Sequence, residues 1–246
     1  MSTAKPIALI TGGNKGIGLE LARTLARDHS FHILLGSRNA ASGTAAVAKL
    51  QAEGLSSIEL VVIDVNMDDT IMATVQEVSH KHGRLDVLVN NAGISLSSDP
   101  YPAPTELREI FKSTFDTNVF GATVVTESFL PLLEKAAIPR IVFMSSYLGS
   151  IEHRMNPEAK WQHLSSMAYR CSKAALNMLC ATYDARFRGK GWKINAVCPG
   201  SVSTDINGGN GILTTVEAMP NLVRLCTLEK DGATGLYCDP DGPLPW

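Results

Sequence analysis

The chain has 246 residues, 45% of them apolar, and carries 22 Lys and Arg against 24 Asp and Glu. This length and apolar content suit one large core, so a single domain spanning 1–246 is expected. The near-balanced charge excludes a broad field for nucleic acid or an anionic membrane surface. With no apolar run of roughly 18 residues and no basic leader followed by an apolar core, the expectation is a soluble, cytoplasmic protein with a small-molecule partner.

Short apolar runs alternate with longer amphipathic stretches. The runs are Ile7–Ile10, then 33–35, 60–63, 87–89, 141–144 and 194–197. Helices are predicted over 17–27, 41–53, 68–82, 105–134 and 167–188, with Gly121 and Pro131 as places where the fourth could bend or end. This alternation predicts an α/β domain, a mainly parallel sheet covered by helices on both faces. Ligands of such sheets bind beyond the carboxyl ends of the strands. The six runs are followed by Thr11-Gly12, Ser37-Arg38, Asp64, Asn90-Asn91-Ala92-Gly93, Ser145-Ser146 and Pro199-Gly200, all small, polar or turn-forming. One ligand-lined edge accounts for all six together.

The first of these ends opens a glycine turn, Gly12-Gly13-Asn14-Lys15-Gly16-Ile17-Gly18. Without side chains at Gly12, Gly16 and Gly18, the backbone and a helix amino terminus can approach a pyrophosphate. After the second run, a fold that binds NAD usually places a carboxylate for the ribose hydroxyls, about 20 positions beyond the glycines. Ser37 and Arg38 stand there instead. The planar fork of Arg38 can clamp a phosphate, and Lys15 adds a second cation, so the expected cofactor is NADP(H).

Tyr169 and Lys173 share a helix face at a spacing of i and i+4. Bringing a phenol from about 10 to near neutrality takes roughly 4 kcal/mol, and one ammonium about 4 Å away at an effective dielectric near 20 supplies about that much. In carbonyl reduction the tyrosine starts protonated and donates as the alkoxide forms. Ser146 is expected to hold the carbonyl oxygen by a hydrogen bond.

Five cysteines (Cys171, Cys180, Cys198, Cys226 and Cys238) form no Cys-x-x-Cys pair, so most are expected to be reduced core thiols, Cys171 among them. Among the six histidines His80-x-His82 is the tightest pair, and two solvated imidazoles are the expected reading. No metal site is predicted.

These residues resemble the short-chain dehydrogenase/reductases, especially carbonyl-reductase-like members. The resemblance rests on Thr11-Gly12-x-x-x-Gly16-x-Gly18, Asp64-Val65, Asn90-Asn91-Ala92-Gly93, Asn118, Ser146, Tyr169-x-x-x-Lys173 and Pro199-Gly200, in that order. It implies a doubly wound Rossmann domain with a predominantly parallel seven-stranded sheet. It also implies Tyr169 as general acid/base, Lys173 as its electrostatic partner and ribose ligand, Ser146 as the carbonyl-orienting group, and Asn118 positioning a relay water. An Asn bonding neighbouring backbone is the alternative for Asn118. Asp64 and Val65 would meet the adenine, Asn91, Ala92 and Gly93 the adenosine side, and Pro199, Gly200, Val202 and Thr204 the nicotinamide.

The stretch 147–166 before Tyr169 is longer than in many family members. As an insertion ahead of the tyrosine helix it can obstruct a helix-helix dimer face, so a monomer is preferred, with dimer and tetramer left open. Segments 95–104, 147–166 and a lid near 203–222 are expected around the nicotinamide. Met155, Trp161, Ile206 and Leu213 suggest a pocket for an apolar or aromatic ketone, aldehyde or quinone. The competing readings are a redox sensor that binds NADP(H) without turnover, and a member that uses the same pocket for cyclisation, dehydration or isomerisation.

Overall fold

The computed structural model describes residues 5–96 and 103–246. Its frame is one eight-stranded sheet. In chain order the elements are β1 (Ile7–Ile10), α1 (Gly16–Asp28), β2 (His32–Ser37), α2 (Ala40–Ala52), β3 (Ile58–Val62), α3 (Asp68–His82), β4 (Val87–Asn90), α4 (Pro104–Phe115), a π-helical segment (Asp116–Gly121), α5 (Ala122–Leu133), β5 (Arg140–Met144), a 3₁₀ turn (Tyr147–Gly149), α6 (Ile151–Met155), α7 (Met167–Phe187), β6 (Lys193–Val197), a second 3₁₀ turn (Asp205–Asn207), α8 (Met219–Cys226), β7 (Tyr237–Asp239) and β8 (Gly242–Pro243). The strand order is β3-β2-β1-β4-β5-β6-β7-β8. Every pairing is parallel except β7 with β8, a two-residue antiparallel addition beyond the seven strands expected.

Burial on both faces explains why the strands read as continuous apolar runs. Along β1, Leu9 packs with Leu34, Leu88 and Ile141 under α3, α5 and α7 residues such as Ile71, Phe129 and Leu176. Ala8 and Ile10 point the other way, toward Leu21 and Leu25 of α1, Leu50 of α2 and Leu222 of α8. Each fully buried side chain of this size contributes roughly 1.5–3 kcal/mol, so the paired layers fix the register of every central strand.

The expected helix over 105–134 is interrupted where Gly121 suggested it would be. There α4 passes through the π-helical segment into α5, and a Cβ on Gly121 would stand 2.6 Å from the Val65 carbonyl oxygen. The widened turn lets the helix pass this close to the loop after β3. Pro131 ends nothing, because it sits inside the last turns of α5.

At the amino edge of the sheet, the expectation for His82 is corrected. It is not a solvated imidazole. Its Nε2 lies 2.5 Å from Glu59 Oε1, which also takes up His32 at 3.1 Å.

Candidate active site

At the carboxyl edge, the glycine turn is held from beneath. Asn91 Nδ2 donates to the carbonyls of Thr11 (2.8 Å) and Gly12 (3.1 Å), while Thr11 Oγ1 accepts from the amides of Asn91 and Ala92, each at 3.0 Å. Gly12 and Gly16 have φ of 62° and 56°, values that favour glycine. A Cβ on Gly18 would meet Asn91 Nδ2 at 2.6 Å and Gly12 O at 2.8 Å. Asn91 is therefore a brace of the turn. Ala92 packs on Gly12, whose built Cβ would stand 3.1 Å from the Ala92 Cα.

The first turn of α1 starts at Gly16 with no acidic residue in it, and its N-cap, Lys15, makes no side-chain cap. Main-chain N–H groups with no side-chain cap and the positive end of the helix dipole thus meet at a turn too tight for side chains, which is how a pyrophosphate is held. Asn14 reaches Ser42 at 3.5 Å and Ile17 is half-buried. On this observation the dinucleotide cradle fits.

Around the second strand end, Ser37 is buried and turned inward, its Oγ donating to the Asn39 carbonyl at 2.9 Å. Arg38 is exposed, and among the described residues it has no ion pair. Lys15, the second cation expected there, is held elsewhere, its Nζ 2.6 Å from Asp205 Oδ2. Asp64 Oδ1 accepts from the Asn66 amide at 3.0 Å, a turn role, and Val65 is buried against the π-helical segment.

Beyond β5 and on α7 lie the polar groups of the reaction edge. Lys173 is buried and donates to the Met144 carbonyl at 2.7 Å, its Nζ 5.5 Å from the centre of the Tyr169 ring. An ammonium carries three donors, and this is one. A Cβ on Gly93 would stand 3.5 Å from that nitrogen and 3.3 Å from Asn118 Oδ1, so glycine there keeps open the space into which the ammonium faces. Ser146 Oγ accepts from the Leu148 amide at 3.2 Å, leaving its own proton to give.

Burial sets the titration of the pair. It pushes the Tyr169 phenol up to about 12, with Cys198 adding to the rise and the Ser146 hydroxyl pulling it down. It depresses Lys173 from 10.5 to about 8, against a small opposing effect of Cys198. The near-neutral phenol expected from Lys173 is thus not reached by the chain alone, because desolvation is the largest influence on both groups and only the Ser146 hydroxyl opposes it at Tyr169.

Asn118 occupies the π-helical segment with every side-chain atom engaged. Its Oδ1 accepts from the Ile94 amide at 2.8 Å, and its Nδ2 donates to the Ile94 carbonyl at 2.9 Å and to Ser172 Oγ at 3.0 Å. Ser172 in turn donates to the Tyr169 carbonyl at 2.8 Å. The backbone-bonding alternative for Asn118 is what the geometry presents.

Sequence reasoning missed several supports. Tyr237 donates to the Ser146 carbonyl at 2.5 Å from far along the chain, and Trp246 lies against its ring at 5.4 Å between centres. Gly149 packs on the Lys173 backbone, where a Cβ would meet its carbonyl carbon at 2.8 Å. Ser172 was within reach of prediction as a hydroxyl between Tyr169 and Lys173. Tyr237 and Gly149 had no local signal.

The segment after β6 folds over the glycine turn. Pro199 is buried, Gly200 takes φ of 85°, and Val202 bridges to Leu213. Thr204 caps the 3₁₀ turn, and a Cβ on Gly16 would lie 3.4 Å from its methyl group. Leu213 packs against Gly200, whereas Met155 and Ile206 lie on the surface. Residues 97–102 of the expected substrate segment lie outside the described residues. Cys171, expected as a core thiol, is exposed, while the other four cysteines are buried.

A parallel sheet with an uncapped glycine turn at β1 and a phenol-ammonium pair beside β5 defines a dinucleotide-dependent oxidoreductase class. The short chain dehydrogenase family model matches residues 6–211. A short-chain dehydrogenase of Penicillium roqueforti is 35% identical, covering 92% of this chain and 90% of the relative, and the (+)-neomenthol dehydrogenase of Capsicum annuum is 30% identical, covering 96% of each. The structure of NADPH-bound carbonyl reductase from chicken fatty liver superposes with a TM-score of 0.82 at 27% identity, covering 98% of this chain and 99% of that one. The chain belongs to the short-chain dehydrogenase/reductase family, oxidoreductases that use NAD or NADP. Among the described residues no helix is long and apolar enough to cross a membrane.

Lys173 releases its proton more readily folded than unfolded, which gives the cofactor-free protein a pH signature. Between pH 8 and 10.5 the unfolded chain holds this proton while the folded chain has lost it, so the group's contribution to stability rises with pH across that window and is lost as pH falls through 8. Lys173→Met removes this slope. Urea denaturation at about pH 7.5 and about pH 9.5 should show the parent gaining on the variant; a difference that does not change with pH would reject the desolvated cation.

Proposed function

We propose that this protein is an NADPH-dependent reductase of a small, apolar or aromatic ketone, aldehyde or quinone. The observation that carries this reading is the convergence of Ser146, Tyr169 and a buried Lys173 with unspent donors on the same sheet edge as the uncapped glycine turn. When bound, the reduced nicotinamide supplies the hydride.

The chain's own groups then handle the oxygen. Ser146 accepts from Leu148, so its hydroxyl proton is available to the substrate carbonyl oxygen. Tyr169 stays protonated at neutral pH and gives its proton as the alkoxide develops. The Lys173 ammonium stabilises the phenolate left behind, and its remaining donors suit ribose hydroxyls beside Gly93. Asn118, spent on Ile94 and Ser172, is assigned a positioning role ahead of the relay-water role implied by its place in the family motif.

For the cofactor, exposed Arg38 and the missing carboxylate after β2 favour a 2′-phosphate. Lys15 contributes to it only by leaving Asp205, so Arg38 is the principal ligand. We assign one domain, with the insertion at 147–166 and the lid at 203–222, in which Thr204 and Asp205 rest on the glycine turn. The apolar substrate class is supported by Ile206 and Ile212, exposed on that lid.

NADPH consumption over a panel of aromatic ketones, aldehydes and quinones tests the reading, with tight binding and no turnover pointing to the sensor alternative. Tyr169→Phe should lower turnover at least 100-fold while leaving cofactor affinity within about twofold, since the lost group acts in proton transfer. Substantial residual turnover would count against the phenol. Arg38→Ala should raise the Kd for NADPH at least tenfold more than that for NADH, measured by fluorescence titration; equal losses would remove the 2′-phosphate assignment. Light scattering should give the mass of a monomer, 26.4 kDa, and a tetramer would refute the obstructed face.

A further inference from the structure

A second cluster of chemistry-bearing groups lies at the opposite edge of the sheet. His32 is the first residue of β2, Glu59 lies in β3, and His82 is the last residue of α3. In the parallel register Glu59 sits beside Leu34. His32 and Leu34 are two apart, so the imidazole and the carboxylate share the sheet face that α3 covers. The helix then delivers His82 to the same point, where Gly83 (φ 72°) ends it in a left-handed cap.

The three ligand atoms converge. His82 Nε2 and His32 Nε2 lie 2.5 and 3.1 Å from the one oxygen, Glu59 Oε1, all three ligand atoms fall within 4.8 Å of one another, and the two rings stand 5.0 Å apart, tilted by 46°. The side chains are 28%, 30% and 17% exposed for His32, Glu59 and His82, enough to admit an ion with a coordinated water and too little for free solvation. The cluster also sits at the negative end of the α3 dipole, which favours a cation there. One charge opposes it: Lys81 Nζ is 3.7 Å from Glu59 Oε2, although its shorter contact, 2.6 Å, is to Glu77.

We propose that His32, Glu59 and His82 form a divalent transition-metal site of the zinc class, with two imidazole Nε2 atoms and one carboxylate oxygen as protein ligands and water in the fourth position. Zn²⁺ takes these ligands at about 2.0–2.2 Å, which places tetrahedral neighbours about 3.3–3.5 Å apart. Both nitrogens lie closer than that to the carboxylate oxygen, so an ion requires them to open outward by up to about 1 Å as it takes the place of the direct hydrogen bonds. Each imidazole binds the metal through its Nε2 lone pair and keeps one proton on Nδ1: in a neutral ring the Nε2 proton is exchanged through water for one on Nδ1, and a charged ring gives its Nε2 proton to solvent. The site ties β2, β3 and the end of α3 together at the amino edge, away from the reaction edge, so its effect is on stability.

The test titrates chelator-treated full-length protein with ZnCl₂, by calorimetry and by NMR of the six histidine rings. One equivalent is expected to bind, shifting the ring signals of His32 and His82 selectively and raising the melting temperature. His32→Gln, Glu59→Gln and His82→Gln should each weaken binding at least tenfold, and Lys81→Met should strengthen it. Cys171→Ser should leave it unchanged, which separates this site from the exposed thiol. If any ligand variant fails to fold, the selective ring shifts in the parent carry the test. No saturable one-equivalent binding, shifts spread over other histidines, or ligand variants that bind like the parent would overturn the site.

Discussion

A positive charge buried with one hydrogen bond is the constraint around which the reaction edge is arranged. Lys173 reaches the Met144 carbonyl from α7, and desolvation alone moves its proton affinity by an amount that most cores would not tolerate. Holding it there takes close packing. Gly149 lies against its backbone with no space for a Cβ, and Ser145 and Asn177 hydrogen-bond beneath the same strand end. An ammonium deprived of water interacts strongly with whatever anion or hydroxyl is placed beside it, which is the physical basis of the role proposed for Lys173.

A second theme is how far the supports come from. Tyr169 is steadied through Ser172 and Asn118 from the π-helical segment and the loop after β4, while Ser146 is fixed through its carbonyl by Tyr237 from the last parallel strand. The π-helical segment lets one helix run carry Asn118 to Ile94 while Gly121 passes over Val65. A regular helix of the same sequence would rotate one of these contacts away, because each residue turns the face by about 100°.

Much of this was legible in the chain. All six apolar runs became strands, because burial on both faces forces continuous apolarity, and the polar residues after them fell on one edge because parallel strands point the same way. Gly121 was readable as a break, since only a small residue permits that approach. What stayed hidden depends on tertiary proximity: the ion pair of Lys15 with Asp205, the reach of Tyr237, and the meeting of His32, Glu59 and His82 join positions that carry no mark of one another. Local rules treated Lys15 as a cation for the cofactor phosphate and His82 as a solvated imidazole. Both found partners only when the fold brought distant segments together.

The last strand has an implication for how these molecules meet. β8 is two residues long, antiparallel to β7, and ends in Pro243, which has no N–H to offer a ladder. A sheet closed off in this way presents no template onto which a neighbour's backbone could zip, and so that flank is guarded against runaway fibre-like growth.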